Sequence, residues 1–123
     1  MLLSFLQKRR SIRRFTDQKV ETEKIDALIE AALRAPSGKG IYPCEFMVVT
    51  DAAVLDKISL AKDKGSAFIK NSPLGIVICA DPDKTDVWIE DASIASCIVH
   101  LAAKSLELGS CWIQIRKRMH NRR

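Results

Sequence analysis

From about Thr85 to Leu108 the chain holds neither proline nor glycine, and Ile94, Ala95, Ile98, Leu101, Ala102 and Leu108 recur along it in a wide apolar pattern. A stretch of that length and spacing is predicted to be one long core helix, closed by Gly109 as its C-terminal cap. Every other element must then find a place against it. No run of eighteen apolar residues occurs anywhere, so no segment is expected to span a membrane.

The remaining pattern alternates between helix and strand. Residues 2–10 suit a short opening helix, with a turn near Thr16 and Asp17. Thr22 is a candidate N-cap for a helix carrying Ile25, Leu28, Ile29, Ala32 and Leu33, which Pro36 stops. Pro36-Ser37-Gly38-Lys39-Gly40-Ile41-Tyr42-Pro43 is expected to be a loop whose backbone can approach a ligand closely. Phe46–Val49 reads as a strand, Asp51 as the cap of a helix to about Lys62, and Ala67–Asn71 as a turn. Gly75–Ala80 is continuously apolar and is expected to be a strand covered on both faces at the sheet's centre. Cys111–Ile115 is predicted to add a third strand. Residues 1–115 are therefore expected to form one domain, with 116–123 a basic tail.

Charge and cysteine usage narrow the function. The net charge of +5 comes from 20 basic and 15 acidic residues. Five of the basic residues are Arg116, Lys117, Arg118, Arg122 and Arg123, so the rest of the chain is balanced. The other local excess, Lys8, Arg9, Arg10, Arg13 and Arg14, is compact enough for one phosphate group and suits a small anion better than a polynucleotide. Cys44, Cys79, Cys97 and Cys111 are widely spaced and are read as buried reduced thiols, so no metal is expected. The N-terminus meets Lys8, Arg9 and Arg10 too soon for a secretory signal, and a soluble cytoplasmic protein is expected.

Within Arg9-Arg10-Ser11-Ile12-Arg13-Arg14-Phe15, guanidinium groups and a hydroxyl supply the donors a phosphate monoester needs. The plainer alternative is a solvated basic helix end with Arg13 or Arg14 paired to surface carboxylates. Trp88, Glu90 and Asp91 suit a packed indole and helix-start acids, and no chemistry is assigned to them. His100 is read as a satisfied core or interface histidine and His120 as part of the tail. No Gly-x-Gly-x-x-Gly follows a strand, and Gly38-Lys39-Gly40 is not a Walker loop, so a Rossmann nicotinamide site is not expected.

Taken together, Arg9-Arg10-Ser11-Ile12-Arg13, Ala35-Pro36-Ser37, Trp88-Ile89-Glu90-Asp91 and Leu106-Glu107-Leu108-Gly109-Ser110-Cys111-Trp112-Ile113 resemble the nitroreductase family over essentially the whole chain. The resemblance implies an α+β fold, a three-layer α-β-α arrangement in which a central, mostly antiparallel sheet is flanked by helices. It implies a homodimer with FMN at the interface, and electron transfer from NADH or NADPH to nitroaromatics, quinones or similar conjugated acceptors by a ping-pong mechanism. By that resemblance Arg9, Ser11 and Arg13, with Arg10 close by, contact the FMN phosphate, and no side chain acts as a catalytic acid or base. Pro36, Ser37, Gly38 and Gly40 form a loop approaching the flavin from the partner subunit.

Gly40 stands where the family usually has Asn, which bears on reduction potential and acceptor preference, and Tyr42 could stack or hydrogen-bond near the ring. Family members usually continue beyond the Trp-Ile strand, so the chain resembles a C-terminally short member. Two other readings stay open at this point: a catalytically weak or truncated FMN-binding member, and a small basic nucleic-acid-binding protein.

Overall fold

The computed structural model describes residues 1–118. In chain order it forms α1 (Leu2–Lys8), α2 (Thr22–Leu33), β1 (Cys44–Val49), α3 (Ala52–Ile58), β2 (Gly75–Ala80) and α4 (Trp88–Ser105), with 3-10 turns at Gly38–Gly40 and Ala67–Asn71. The end of the basic tail from Met119 on, with His120, Arg122 and Arg123, lies outside the described residues.

β1 and β2 pair antiparallel, from Cys44 opposite Ala80 to Val49 opposite Gly75. Side chains alternate across a strand, so Cys44 and Phe46 share a face. That face meets α4, since both residues border a small cavity with Asp91 and Ala95. The opposite face carries Val49 and Gly75. A Cβ on Gly75 would lie 3.0 Å from Leu55 Cδ2 and 3.2 Å from Ile69 Cδ1, so α3 and the Ala67–Asn71 turn sit on that side. The result is the expected three-layer α+β arrangement, with α2 packed along α4 in one helical layer. Among the described residues the buried apolar core is Leu28, Val49 and Leu55 with Ala32, Ala35, Ala95 and Ala103. Alanines on α2 and α4 let those two helices approach closely.

Several boundaries differ from expectation. α1 ends at Lys8 and buries none of its residues. Thr22 is the first residue of α2 rather than its cap; Glu21 occupies the cap, and its carbonyl accepts from Lys24 and Ile25. Asp51 does cap α3, accepting from the amides of Ala53 and Val54. That helix stops at Ile58, well short of Lys62, because i→i−3 bonds from Leu60 to Lys57 and Ala61 to Ile58 tighten the chain into turns. α4 starts at Trp88 rather than Thr85, since Asp81 and Thr85 side chains accept from the amides of Asp83 and Val87 and hold residues 81–87 in turns.

The end of α4 is a further correction. Leu108 N donates to Ala103 O at 2.9 Å and Glu107 N to Lys104 O at 3.1 Å, the Schellman pattern, with Glu107 at φ 62 in the left-handed position. Gly109 is therefore not the cap. It permits a close approach instead, because a Cβ there would lie 3.0 to 3.2 Å from atoms of Ile12. Beside it Ile12 N donates to Ser110 O at 2.9 Å, and Ser11 and Ser110 form a parallel bridge.

That bridge lies just before the segment where a third strand was expected. Cys111–Ile115 runs without strand pairing among the described residues. β2 has its predicted bounds, yet it is half of a two-stranded ribbon rather than a sheet's centre, and Cys79 is exposed instead of covered. The four cysteines are free, as expected, but not buried: Cys44 and Cys111 are half-buried, Cys79 and Cys97 exposed. No helix among the described residues is long and apolar enough to cross a membrane.

Candidate functional site

The basic segment after α1 folds against the far end of α4. Arg9 follows α1 in an extended conformation, φ −60 and ψ 137, and its carbonyl and that of Gln7 accept from the Arg10 guanidinium. Arg9 itself turns inward, with Nη1 3.0 Å from His100 Nε2 on α4. His100 Nδ1 in turn lies 2.5 Å from Ser110 Oγ. Lys8, Arg9, Arg10, Lys104 and Ser110, with Glu107 and Ile12, border a cavity of about 320 Å³. The ion pairs among the described residues are Lys24–Glu21 and Arg34–Glu30, so no carboxylate is paired with these cations. Arg13 and Arg14 are exposed, as the solvated reading has them, and the ion pairs among the described residues do not include them. Ser11 is exposed and engaged through its backbone bridge to Ser110.

Burial first, and then the Arg9 charge, push the His100 pKa below its ordinary value. Lys104, one turn along α4, adds a further cation on the same helix face. The unfolded chain binds a proton that the folded one resists, so stability falls as pH drops from about 6.5 through the lowered value and is unaffected by His100 above that window. NMR titration of the His100 Cε1 proton, assigned with a His100→Gln variant, is expected to give a midpoint below 6.5. A midpoint at or above it would contradict this environment.

The Pro36–Gly40 loop is held by the near end of α4. Asp91 is 4% exposed; its Oδ2 accepts from Ser37 Oγ at 2.6 Å and its Oδ1 from Gly38 N at 3.1 Å. Ser37 Oγ then accepts from Tyr42 N at 2.8 Å, closing the loop on itself. Gly38 has little room, since a Cβ would stand 3.0 Å from Val87 Cγ2. Gly40 sits at φ +64, a conformation glycine takes freely and Asn tolerates better than most residues. Tyr42 is also left-handed, φ 54, and its side chain is exposed. Cys44 lies beside this loop, and its thiol is pushed up by burial, then by Asp91 and Cys79.

The cavity takes in Arg9 and Arg10 but neither Ser11 nor Arg13, and the fold does not bring the Pro36–Gly40 loop to it within one chain. His100 and Asp91 are nine residues apart on α4, which at helical geometry means about 13 Å of rise and roughly half a turn of rotation, placing them on opposite faces. Sequence reasoning missed Asp91 as the loop's anchor. The available signal was its position four residues before buried Ala95, a lone acid on the apolar stripe of α4. His100 is satisfied, as expected, but its partner is the candidate phosphate arginine.

The family model described as the Nitroreductase family matches residues 6–62. The chain is similar to a Methanothermobacter thermautotrophicus protein named "Putative NADH dehydrogenase/NAD(P)H nitroreductase", 38% identical over 90% of this chain and 59% of that protein. The chain therefore spans somewhat less than two thirds of that relative's length. Among solved structures, an FMN-dependent nitroreductase from Clostridium difficile superposes with a TM-score of 0.92 at 55% identity, covering 94% of this chain and 68% of that one. A nitroreductase crystallised in complex with FMN from Desulfovibrio desulfuricans has a TM-score of 0.84 at 30% identity, covering 93% of this chain and 68% of its own.

Proposed function

The chain belongs to the nitroreductase family, and from that membership we propose that it is an FMN-dependent oxidoreductase carrying electrons from NADH or NADPH to a small conjugated acceptor such as a nitroaromatic or a quinone. The observation that carries this reading is the cavity at Arg9, whose cations Lys8, Arg9, Arg10 and Lys104 outnumber its one bordering carboxylate, Glu107, and are ion-paired with no acid among the described residues. Its donors fit a phosphate monoester: Arg9 and Arg10 offer planar guanidinium forks, Lys8 and Lys104 compact charges, and Ser110 a hydroxyl. Arg9, Ser11 and Arg13, with Arg10, would hold the FMN phosphate. Pro36, Ser37, Gly38 and Gly40 would lie against the flavin from a second copy of the chain.

The second copy is part of the proposal because the loop and the cavity face away from each other across α4. A further feature supports it: Leu2 and Leu3 are each 59% exposed and Leu6 50%, an uncovered apolar row on α1.

When bound, FMN would supply the two-electron chemistry between a nicotinamide donor and the acceptor. The chain's own residues bind and orient: the cations fix the phosphate, and the Asp91-braced loop presents backbone and Ser37 close to the partner's ligand. The expected result of mixing the protein with FMN and desalting it is stoichiometric retained flavin in a dimer, bleached anaerobically by NADH or NADPH. Protein that emerges colourless would sink the reading; retained flavin that no nicotinamide reduces would leave a binder, not an oxidoreductase.

A further inference from the structure

Resting on the reading that the Arg9 cavity receives the FMN phosphate, we propose that His100, braced by Ser110, is a positioning residue that orients the Arg9 guanidinium toward that phosphate. Arginine can only donate hydrogen bonds, so the 3.0 Å contact between Arg9 Nη1 and His100 Nε2 requires a lone pair on Nε2. The proton then sits on Nδ1, which donates to Ser110 Oγ. That leaves the Ser110 hydroxyl hydrogen unused by His100, and Ser110 borders the same cavity, where the hydrogen can be offered to an anion. The Ser110 carbonyl accepts from Ile12 N, so the brace is itself tied to the basic segment.

A neutral imidazole suits this task better than the more usual carboxylate. A carboxylate would orient the guanidinium but cancel its charge, weakening its pull on a phosphate. His100 takes one N–H and leaves the full positive charge and the remaining donors for the ligand. A long side chain otherwise free to sample many rotamers is ordered before binding, which lowers the entropic cost of capturing the anion. The lowered His100 pKa agrees with a ring kept neutral beside Arg9.

The test uses the full chain with FMN, riboflavin, which lacks the phosphate, and inorganic phosphate as probes. Arg9→Ala sets the scale for losing the arginine. His100→Leu keeps bulk without an acceptor, whereas His100→Gln returns one. His100→Leu is expected to weaken FMN binding on the order of tenfold, as for loss of one charge-assisted contact, with riboflavin affinity unchanged and His100→Gln restoring most of the loss. Equal weakening of FMN and riboflavin, or no weakening of either, would overturn the proposal. If wild type binds no FMN, the guanidinium NMR signals of Arg9 decide. A response to inorganic phosphate that His100→Leu abolishes supports the positioning role while the FMN reading fails, and no response to phosphate overturns both.

Discussion

Replacing Leu55 with alanine is expected to destabilise the protein by about 3 kcal/mol, within the 2 to 5 kcal/mol range for emptying a buried leucine site. Leu55 is 1% exposed, and its Cδ2 lies 3.0 Å from where a Cβ on Gly75 would stand, beside Ile69. Collapse around the cavity is limited on two sides: α3 is fixed at its start by Asp51, and β2 is fixed by its ladder to β1. The other large buried apolar side chains among the described residues are Leu28, Val49 and Pro43, the rest of the core being alanine. Against a total stability of roughly 5 to 15 kcal/mol, the loss should lower Tm by on the order of 10 °C. Melting is compared at one protein concentration, because the proposed association with a second copy would raise apparent stability. Leu60→Ala, at a site 70% exposed, is the control and is expected to stay within about 0.5 kcal/mol of wild type. A Leu55→Ala variant that melts with the control would mean that α3 does not carry its share of the core.

How legible this architecture is in the sequence depends on whether a local pattern or a distant contact decides it. β2 and the Ala67–Asn71 turn could be read to the residue, because an apolar run between Pro73 and Asp81-Pro82 leaves little freedom in placing a strand. The burial of β2 could not, since it depends on how many strands lie beside it. Cys111–Ile115 has the alternation of a strand and remains unpaired among the described residues for the same reason: pairing belongs to the neighbour, not the segment. The end of α4 was misread because glycine is the usual left-handed cap, while here Glu107 takes that conformation and Gly109 serves the contact with Ile12.

The candidate site divides in the same way. Arg9 and the Ser37 loop stand out as clusters of residue types suited to phosphate and close backbone approach. Their braces, His100 and Asp91, lie 91 and 54 residues away in sequence and show only as polar positions on a helix that otherwise reads as core. Nor does spacing along the chain reveal that the two clusters occupy opposite faces of α4. That separation follows only once both partners on the helix are known, and it is the reason a second copy of the chain is part of the proposed function.

Removing the Asp91 carboxylate is expected to release the Pro36–Tyr42 loop at a cost of about 2 to 3 kcal/mol, the scale for losing hydrogen bonds to a charged, buried acceptor. Asp91→Ala leaves the Ser37 hydroxyl and the Gly38 amide without their acceptor, and Ser37 Oγ is also what receives the Tyr42 amide. Lys39, Gly40 and Tyr42 all hold left-handed φ values, so the loop has little intrinsic preference for its path once the tether is gone. Asp91→Asn retains an acceptor but not the charge and should fall between alanine and wild type. Amide exchange at Gly38 and Tyr42 reads the loop without any flavin, and both are expected to exchange at least tenfold faster in Asp91→Ala, the factor that corresponds to about 1.4 kcal/mol. A double-mutant cycle with Ser37→Ala then separates the bond from general damage, with an expected coupling above about 1 kcal/mol. Strict additivity would reject the tether. If the coupling is present and FMN affinity also falls in Asp91→Ala, the loop touches the ligand; if the coupling is present and FMN affinity holds, the loop is braced for its own fold and the flavin contact assigned to Ser37 and Gly38 must be withdrawn.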